Sequence, residues 1–195
     1  IALANNFYYN SVFIGGTNVV SSTLNSFAFQ RSTAPASAPN DIIQNNIFVN
    51  NRSNASTGGK HYVFSAAANT LLTLNYNAYQ FTGTGGLFGL NVAADVPVYS
   101  INWVAGDANS QTGNPQFLNP TGTSLTGDLH LNTAVGGVAE SAGIVIAGIN
   151  DDYDGNTRQG SGGYAGAGTA PDMGADEYEG ISALPVMNSL AIAPN

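Results

Sequence analysis

The sequence predicts an all-β fold, a right-handed parallel β-helix (a solenoid) that ends in a loop-rich closing module. The first observation is an internal echo, because residues 5–10 align with residues 45–50 and place Asn6 on Asn46. Echoes at a fixed spacing are typical of solenoids. The second observation is a series of short β-prone segments separated by Gly, Pro, Asn and Ser. The third is asparagine itself, because its side chain tolerates left-handed corners and can stack in hydrogen-bonded ladders.

The predicted strands follow one another along the chain. In the first half they occupy residues 12–14, 27–30, 42–50, 61–64, 71–79 and 87–88. This half shows none of the apolar spacing of an amphipathic helix. Residues 99–104 fit either a strand or one helical turn. Further short strands are predicted at residues 114–120, 128–131 and 142–149.

Three regions follow from these elements. Residues 1–149 are predicted to form the rungs of the β-helix. Residues 150–180 are acidic and rich in glycine, and we expect them to close the helix as a cap. Residues 181–195 shift to Leu, Ala, Pro and Met, which indicates a linker or the start of a following domain. Because residue 1 enters directly into a strand-like segment, we expect the chain to be an excerpt of a longer protein.

Composition excludes several classes of protein. Charged residues make up 8% of the chain, whereas an ordinary globular protein carries about 25%. No run approaches the roughly 20 apolar residues of a membrane helix, so no membrane span is predicted. The hydrophobic fraction of 43% is too high for a disordered chain. Four basic residues give nucleic-acid binding no electrostatic basis, and without cysteine there are no disulfides.

Four motifs in the second half support a family resemblance. They are Asn-Pro-Gln-Phe at 114–117, Asp-Leu-His-Leu at 128–131, Asp-Tyr-Asp-Gly-Asn-Thr-Arg at 152–158 and Asp-Met-Gly-Ala-Asp-Glu-Tyr at 172–178. In this order they resemble the closing module of secreted right-handed parallel β-helix repeat proteins, the pectin-lyase-like group of the choice-of-anchor type. The resemblance covers roughly residues 100–180. It implies the fold and an extracellular or outer-surface location in a bacterium, and it implies no particular reaction.

The acidic segment leaves two interpretations open. Seven carboxylates between residues 151 and 179 should repel one another unless something neutralises them. Calcium takes six to eight oxygen ligands, and a loose Ca²⁺ site could use Asp152, Asp154 and Asn156. The segment is not an EF-hand, because the loop lacks the glycine and the final glutamate of that motif. The alternative is an Asp-Gly turn in which Arg158 bridges to Asp172 or Glu177 and holds the closing segment.

Aromatic residues offer a second kind of candidate site. Side chains that could stack on sugar rings, if they share one outer face, are Tyr76, Tyr79, Tyr99 and Trp103. The competing interpretation is that they pack in the core, which is the more common fate at alternating strand positions. His61 and His130 are too few for a histidine metal site, and we expect His130 to be packed or hydrogen-bonded within its strand.

These observations predict a non-catalytic extracellular or cell-surface protein that serves as a stalk, an adhesin or a carbohydrate-contacting module. The partners would be glycans or further copies of the chain. One alternative is a self-assembling extracellular filament or sheath subunit, since unprotected strand edges favour stacking. A second alternative is a polysaccharide lyase or hydrolase. We expect no enzyme activity, because the sequence lacks the Asn-Thr-Asp, Gly-His-Gly and Arg-x-Lys signatures of related hydrolases and shows no positioned base.

Overall fold

The chain winds through three parallel coils, and each coil contributes one strand to each of three sheets. A computed structural model describes residues 4–19, 23–100, 103–104 and 106–180. The strands in these residues are β1 (Asn6–Tyr8), β2 (Ser11–Ile14), β3 (Ser26–Arg31), β4 (Asp41–Gln44), β5 (Ile47–Asn50), β6 (His61–Ala66), β7 (Leu72–Asn75), β8 (Ala78–Phe81), β9 (Gly86–Asn91), β10 (Ala94–Val96), β11 (Gln111–Thr112), β12 (Phe117–Asn119) and β13 (Asp128–Leu131). In the part of the chain described here, no helix is long and apolar enough to cross a membrane.

The sheets are built from equivalent strands of successive coils. Sheet 1 contains β1, β4 and β7, sheet 2 contains β2, β5, β8 and β11, and sheet 3 contains β3, β6, β9 and β10. Strands from successive coils pair in parallel, and β10 then turns back to pair antiparallel with β9. In sheet 2 this register stacks Val12 on Phe48 and Phe48 on Tyr79. The parallel coils confirm the predicted β-helix, while β12 and β13 form a separate antiparallel hairpin.

Each coil turns from sheet 1 to sheet 2 at a two-residue corner. The corners are Tyr9-Asn10, Asn45-Asn46 and Tyr76-Asn77. The first residue of each corner has a left-handed backbone, with φ values of 54°, 59° and 55° in chain order. These corners divide the predicted strands 42–50 and 71–79 into two strands each, because a residue with left-handed backbone bends the extended chain from one sheet into the next.

The second residues of the three corners are asparagines, and their side-chain carboxamides stack into a hydrogen-bonded ladder. Asn10 Nδ2 donates to Asn46 Oδ1 at 2.9 Å, and Asn46 Nδ2 donates to Asn77 Oδ1 at 3.0 Å. The backbone N–H groups of Asn10 and Asn46 donate to the same two oxygens, each at 3.0 Å. The ladder ends where Asn77 N donates to Ser110 Oγ at 2.8 Å. The predicted asparagine ladder therefore exists, and it holds the corners of successive coils together.

The predicted partners within the ladder were wrong. Asn6 lies opposite Ile42 and does not stack on Asn46. Asn46 instead contacts Asn10, which is 36 residues away, and the next step of the ladder spans 31 residues. The coils therefore differ in length, because the loops between strands differ. A sequence alignment at one fixed spacing of 40 residues therefore could not identify Asn10 as the partner of Asn46.

The interior of the coils is filled by aromatic and aliphatic side chains. The fully or nearly fully buried members are Ile43, Phe48, Val63, Phe64, Ala66, Leu72, Leu74, Tyr79, Phe88, Trp103 and Val104. Rings stack along the helix axis, with Phe48 and Tyr79 centroids 6.3 Å apart and nearly parallel. At the end of the third coil, Trp103 packs edge-on against Phe88 with centroids 4.8 Å apart. Such aromatic contacts add to the burial of apolar area.

A second core lies on the outer face of sheet 2. Its buried members are Ile47, Val49, Ala78, Leu131, Ala139, Met173 and Tyr178. The backbone at Gly174 packs directly against the Ile47 side chain, because a Cβ at this position would stand only 2.5 Å from Ile47 Cδ1. The φ of 96° at Gly174 also favours glycine. Residues of the closing segment therefore pack against the outer face of sheet 2, along the side of the β-helix. β5 is consequently buried on both faces.

The predicted strand at residues 142–149 is also absent, since this segment forms turns and bends. Its backbone is held from the side, because Asn45 Oδ1 accepts from Ile144 N at 2.9 Å and Asn45 Nδ2 donates to Ile144 O. In the region of residues 99–104, Ile101 and Asn102 lie outside the described residues, and the remaining positions form no strand.

We predict that Asn46→Ala lowers the free energy of unfolding by about 3 kcal/mol or more. The substitution leaves several buried backbone groups without a partner, and each such group costs about 1–3 kcal/mol. Urea titration measures the effect, and the control is Asn109→Ala, since the Asn109 residue is exposed. A change no larger than that of the control would contradict the structural role of the ladder.

Candidate functional site in the closing segment

The Asp152 side chain organises the turn that the sequence singled out. Its Oδ1 accepts from the backbone N–H groups of Asp154 and Asn156 at 2.9 and 2.8 Å. Its Oδ2 accepts from Glu177 N at 3.0 Å and from Asn156 Nδ2 at 3.1 Å. Burial acts to raise the pKa of Asp152, but these hydrogen bonds outweigh it and hold the pKa below its usual value. These hydrogen bonds fit the second interpretation of the segment, in which residues 152–156 form an Asp-Gly turn.

Arg158 is buried behind this turn and joins it to the β-helix. Its Nη1 donates to Glu177 Oε2 at 3.2 Å, and its Nη2 donates to the carbonyl oxygens of Gly174 and Ala175. The guanidinium carbon lies 3.9 Å from the centre of the Tyr9 ring, a cation–π geometry. Of the two predicted partners of Arg158, Glu177 is therefore confirmed. The guanidinium compensates part of the negative charge of the closing segment.

His130 supplies a second compensating charge at the surface. Its Nδ1 lies 2.6 Å from Asp128 Oδ1 and its Nε2 lies 2.7 Å from Asp154 Oδ2. The hydrogen bonds to Asp128 and then to Asp154 raise the pKa of His130 to about 9. At neutral pH the imidazole is therefore protonated and bridges two carboxylates. The expectation that His130 is hydrogen-bonded in its strand is confirmed.

Three carboxylates come close enough to hold a cation together. Oxygen atoms of Asp152, Asp154 and Asp176 all lie within 4.8 Å of one another. Two of these residues belong to the predicted set Asp152, Asp154 and Asn156, whereas the Asn156 amide nitrogen is used to donate to Asp152. Oxygen donors suit calcium, but His130 and backbone N–H groups already contact these carboxylates. Calcium binding stays a prediction.

The most deeply buried carboxyl group of the segment belongs to Asp172. Its Oδ1 accepts from Ser141 N at 2.6 Å and its Oδ2 accepts from Tyr178 N at 2.9 Å. Burial raises the pKa of Asp172 to about 8, despite these two hydrogen bonds. Raised pKa values of this size occur at catalytic sites and in structural networks alike. Here the side chain is sealed from solvent and both oxygens are occupied by the backbone.

The aromatic candidates gather elsewhere, around a buried carboxylate at the end of the third coil. Trp103 Nε1 donates to Asp107 Oδ2 at 2.7 Å, and Tyr79 OH donates to the same carboxylate at 3.3 Å. Tyr99 OH donates to the Asp107 carbonyl oxygen at 2.7 Å. Ser110 Oγ is a further donor to the carboxylate. Tyr79, Tyr99 and Trp103 therefore form one cluster, which closes the interior core.

The fourth aromatic candidate, Tyr76, is half-buried against the second core, apart from the other three. Tyr79 is fully buried and Trp103 is 9% exposed, so the four rings do not share an outer face. This arrangement fits the packing interpretation, and sugar stacking by these rings stays a prediction that the geometry does not favour.

Sequence reasoning missed two residues that matter at these places and one partner of a third. Asp107 was not singled out, and only its position four residues after Trp103 hinted at a contact between them. Asp176 lies far from Asp152 in the chain, and folding alone brings them together. His130 was placed in its strand, but the partnership with Asp154 joins two motifs that are 24 residues apart.

We predict that Arg158→Met lowers the free energy of unfolding by about 3–5 kcal/mol, because it leaves the Glu177 carboxylate buried without its ion-pair partner. The matched control is Lys60→Met, since the Lys60–Asp95 pair is partly exposed and such pairs contribute at most about 1 kcal/mol. Chemical denaturation measures both variants. Equal effects would show that Arg158 does not hold the closing segment in place.

The pH dependence of the free energy of unfolding should reveal the raised pKa of Asp107. Burial raises the pKa of Asp107 to about 7, from an unfolded value of about 3.8. Its stabilising contribution is therefore present below about pH 4 and is lost as the pH rises to about 7, because the unfolded chain releases its proton first. We predict that the stability difference between the native chain and Asp107→Asn shifts in favour of the native chain on acidification from pH 7 to pH 4.

The control for this measurement is Asp95→Asn. Hydrogen bonds from Lys60 and Tyr62 lower the pKa of Asp95, so its contribution is present at neutral pH and is lost on acidification, the opposite sign. Urea titrations at several pH values measure both differences. A pH-independent difference for Asp107→Asn would contradict a buried, poorly ionised carboxyl group at this position.

Calcium binding at the carboxylate triad predicts a higher melting temperature when calcium is added to EDTA-treated protein. The same addition should have no effect on Asp176→Asn, which removes one of the three charges. Differential scanning calorimetry measures the shift. An unchanged melting temperature of the native chain would reject the calcium prediction and leave His130, Arg158 and the backbone as the compensating groups.

Comparison with known proteins adds no family or relative to this description, because no family model, curated protein or solved structure matches the chain. What the fold itself supports is a parallel β-helix of about three coils.

Proposed function

We propose that the chain is a non-catalytic module of a secreted or cell-surface bacterial protein, acting as a stalk or adhesin segment that contacts carbohydrate. The extracellular location rests on the resemblance of its four motifs to choice-of-anchor β-helix proteins. The mechanical part rests on the fold, since coils in a solenoid hold their neighbours by stacking and transmit load along the axis.

One observation supports the non-catalytic assignment above others. Each buried carboxylate of the closing segment, together with that of Glu140 beside it, accepts a hydrogen bond from a backbone N–H group. The pairs are Glu140 with Gly180, Asp172 with Ser141 and Tyr178, Asp176 with Leu131, and Glu177 with Gln159 and Asp172. A glycosidase needs two carboxyl groups that face a bound sugar across an open cleft. Carboxylates committed to the backbone serve the fold instead.

The ionisation of His130 points the same way. A general base must be unprotonated at the working pH, whereas two carboxylates raise the pKa of His130 to about 9. The imidazole therefore has no free nitrogen lone pair at neutral pH. The other histidine, His61, is buried between Ser26 and Asn54, where both of its ring nitrogens are hydrogen-bonded.

The geometry at the end of the β-helix supports the filament alternative less well than the stalk or adhesin proposal. An end-to-end filament needs both ends of the β-helix to be open to a further coil. At the end of the third coil, β10 folds back on β9, and Trp103 and Asp107 lie against the interior core. A coil of a second copy would have to displace these groups before it could stack.

The test of the proposed function is an assay for sugar release. We predict that the purified chain generates no new reducing or unsaturated ends from pectate, alginate, xylan or cellulose at neutral pH, with or without calcium. Heat-denatured chain is the control for background release. Time-dependent release that Asp172→Asn or His130→Gln abolishes would overturn the proposal in favour of a polysaccharide-degrading enzyme. Detection of the full-length gene product only inside the cell would overturn the extracellular location.

A further inference from the structure

We propose that a cleft between sheet 2 and the β12–β13 hairpin binds a neutral saccharide. The cleft has a volume of about 300 Å³, at the lower end of the range of about 300–1,000 Å³ for small-molecule sites. The inference names a place and a ligand class for the carbohydrate contact, and in this it rests on the proposed function.

One wall of the cleft is a column of side chains on the outer face of sheet 2. The register stacks Phe13 on Val49 and Val49 on Gln80, and Phe13 and Gln80 both line the cleft. The opposite wall is the hairpin, where the Phe117 ring meets the Phe13 ring edge-on with centroids 6.5 Å apart. Two half-buried aromatic rings therefore stand beside the polar groups of the cleft.

Glycine shapes the wall next to Phe13. A Cβ at Gly15 would stand 2.7 Å from Phe13 Cε1, so any larger residue would push the ring out of its position. Gly16 follows with a φ of 113°, a left-handed value that favours glycine. Gly15 thus leaves room for the Phe13 ring, and neither glycine adds a side chain to the cleft.

The polar groups of the cleft are carboxamides that the fold does not use. Asn51 Oδ1 is shielded from solvent and has no hydrogen-bond partner. Among the described residues, the side-chain amides of Gln80 and Gln116 also make no intramolecular hydrogen bond, although both line the same cleft. A buried acceptor without a partner costs stability and requires an explanation. A ligand that donates to Asn51 supplies one.

The chemistry of the lining selects the class of ligand. The cleft is lined by no charged residue among those described, so nothing there would compensate the charge of an ionic ligand. Each carboxamide offers a carbonyl acceptor and an amino donor, and each sugar hydroxyl likewise both donates and accepts. The aromatic rings suit the apolar face of a sugar ring. Together these features fit a neutral saccharide better than a charged sugar or a peptide.

The test is a binding experiment with the folded chain. Protein-observed NMR titrations use cellobiose, maltose, lactose and mannobiose as neutral probes, digalacturonic acid as an anionic probe and tetraglycine as a peptide probe. We expect saturable binding of at least one neutral disaccharide. Asn51→Leu and Gln80→Leu should each weaken it roughly tenfold or more, the effect of losing about one hydrogen bond.

The matched control is Asn91→Leu. Asn91 Oδ1 is also buried and unpartnered, but Asn91 lies at the end of β9 in sheet 3, away from the cleft. Since an unpaired polar group is replaced by an apolar one in both cases, Asn51→Leu and Asn91→Leu should each keep the fold, as thermal unfolding will show. Of these two variants, only Asn51→Leu should weaken saccharide binding.

Three results of the binding experiment would overturn the inference. These are the absence of binding by every neutral disaccharide at millimolar concentration, binding of tetraglycine or digalacturonic acid alone, and binding that all three variants retain. A crystal structure with only an ordered water at Asn51 Oδ1, in the presence of a probe, would do the same. None of these results changes the outcome of the sugar-release assay, so the non-catalytic proposal is tested independently of this cleft.

Discussion

The structure depends on one constraint, which is that every coil of a β-helix must turn its backbone at corners without leaving buried N–H and C=O groups unpaired. Within a strand, the backbone N–H and C=O groups of one coil form hydrogen bonds with those of the neighbouring coils. At the corner between sheets 1 and 2 the backbone is left-handed and cannot continue the ladder of the sheet. The side chains of Asn10, Asn46 and Asn77 take over there, and each bonds to backbone groups and to a neighbouring carboxamide of the ladder. A chain with few charged residues achieves this with amides, which bring no ionisation cost when they are buried.

The closing segment obeys the same constraint with carboxylates. It contains little regular structure, so its backbone N–H groups have few partners in strands. Asp152, Asp172 and Glu177 accept from them instead, and Asp176 accepts from Leu131 N in β13. Negative charge buried here would be unfavourable without cations nearby. Arg158 pairs with Glu177 and protonated His130 lies against Asp154, while burial raises the pKa of Asp172 to about 8 and keeps that carboxyl group largely protonated at neutral pH. The acidic character of the segment therefore follows from its irregular backbone, without requiring a ligand or a reaction.

This reasoning also explains how much of the molecule could be predicted from the sequence. The β-helix and its asparagine ladder could be predicted from the residues themselves, because an internal echo of β-prone segments flanked by asparagine is typical of stacked coils. The partner of Asn46 does not follow, since the unequal loops between coils decide which corner lies beneath it. Arg158 and Glu177 could be paired by charge alone. Asp107 could not be recognised, because burial by Trp103 and Tyr79 gives it its properties, and burial appears only after folding.

The two cores meet at sheet 2, and this connection joins the closing segment to the coils. β5 contributes Phe48 to the interior core and Ile47 and Val49 to the outer one. Coils and closing segment therefore share a strand that is buried on both faces, and neither can move without exposing apolar surface to water. A solenoid alone is held only by contacts between neighbouring coils. Here the closing segment contacts two coils. Gly174 N donates to Asn45 O at 2.8 Å and Gly174 packs against Ile47, both in the second coil, while Ala175 N donates to Ser11 Oγ in the first. The closing segment therefore braces the coils along the axis that a stalk would load.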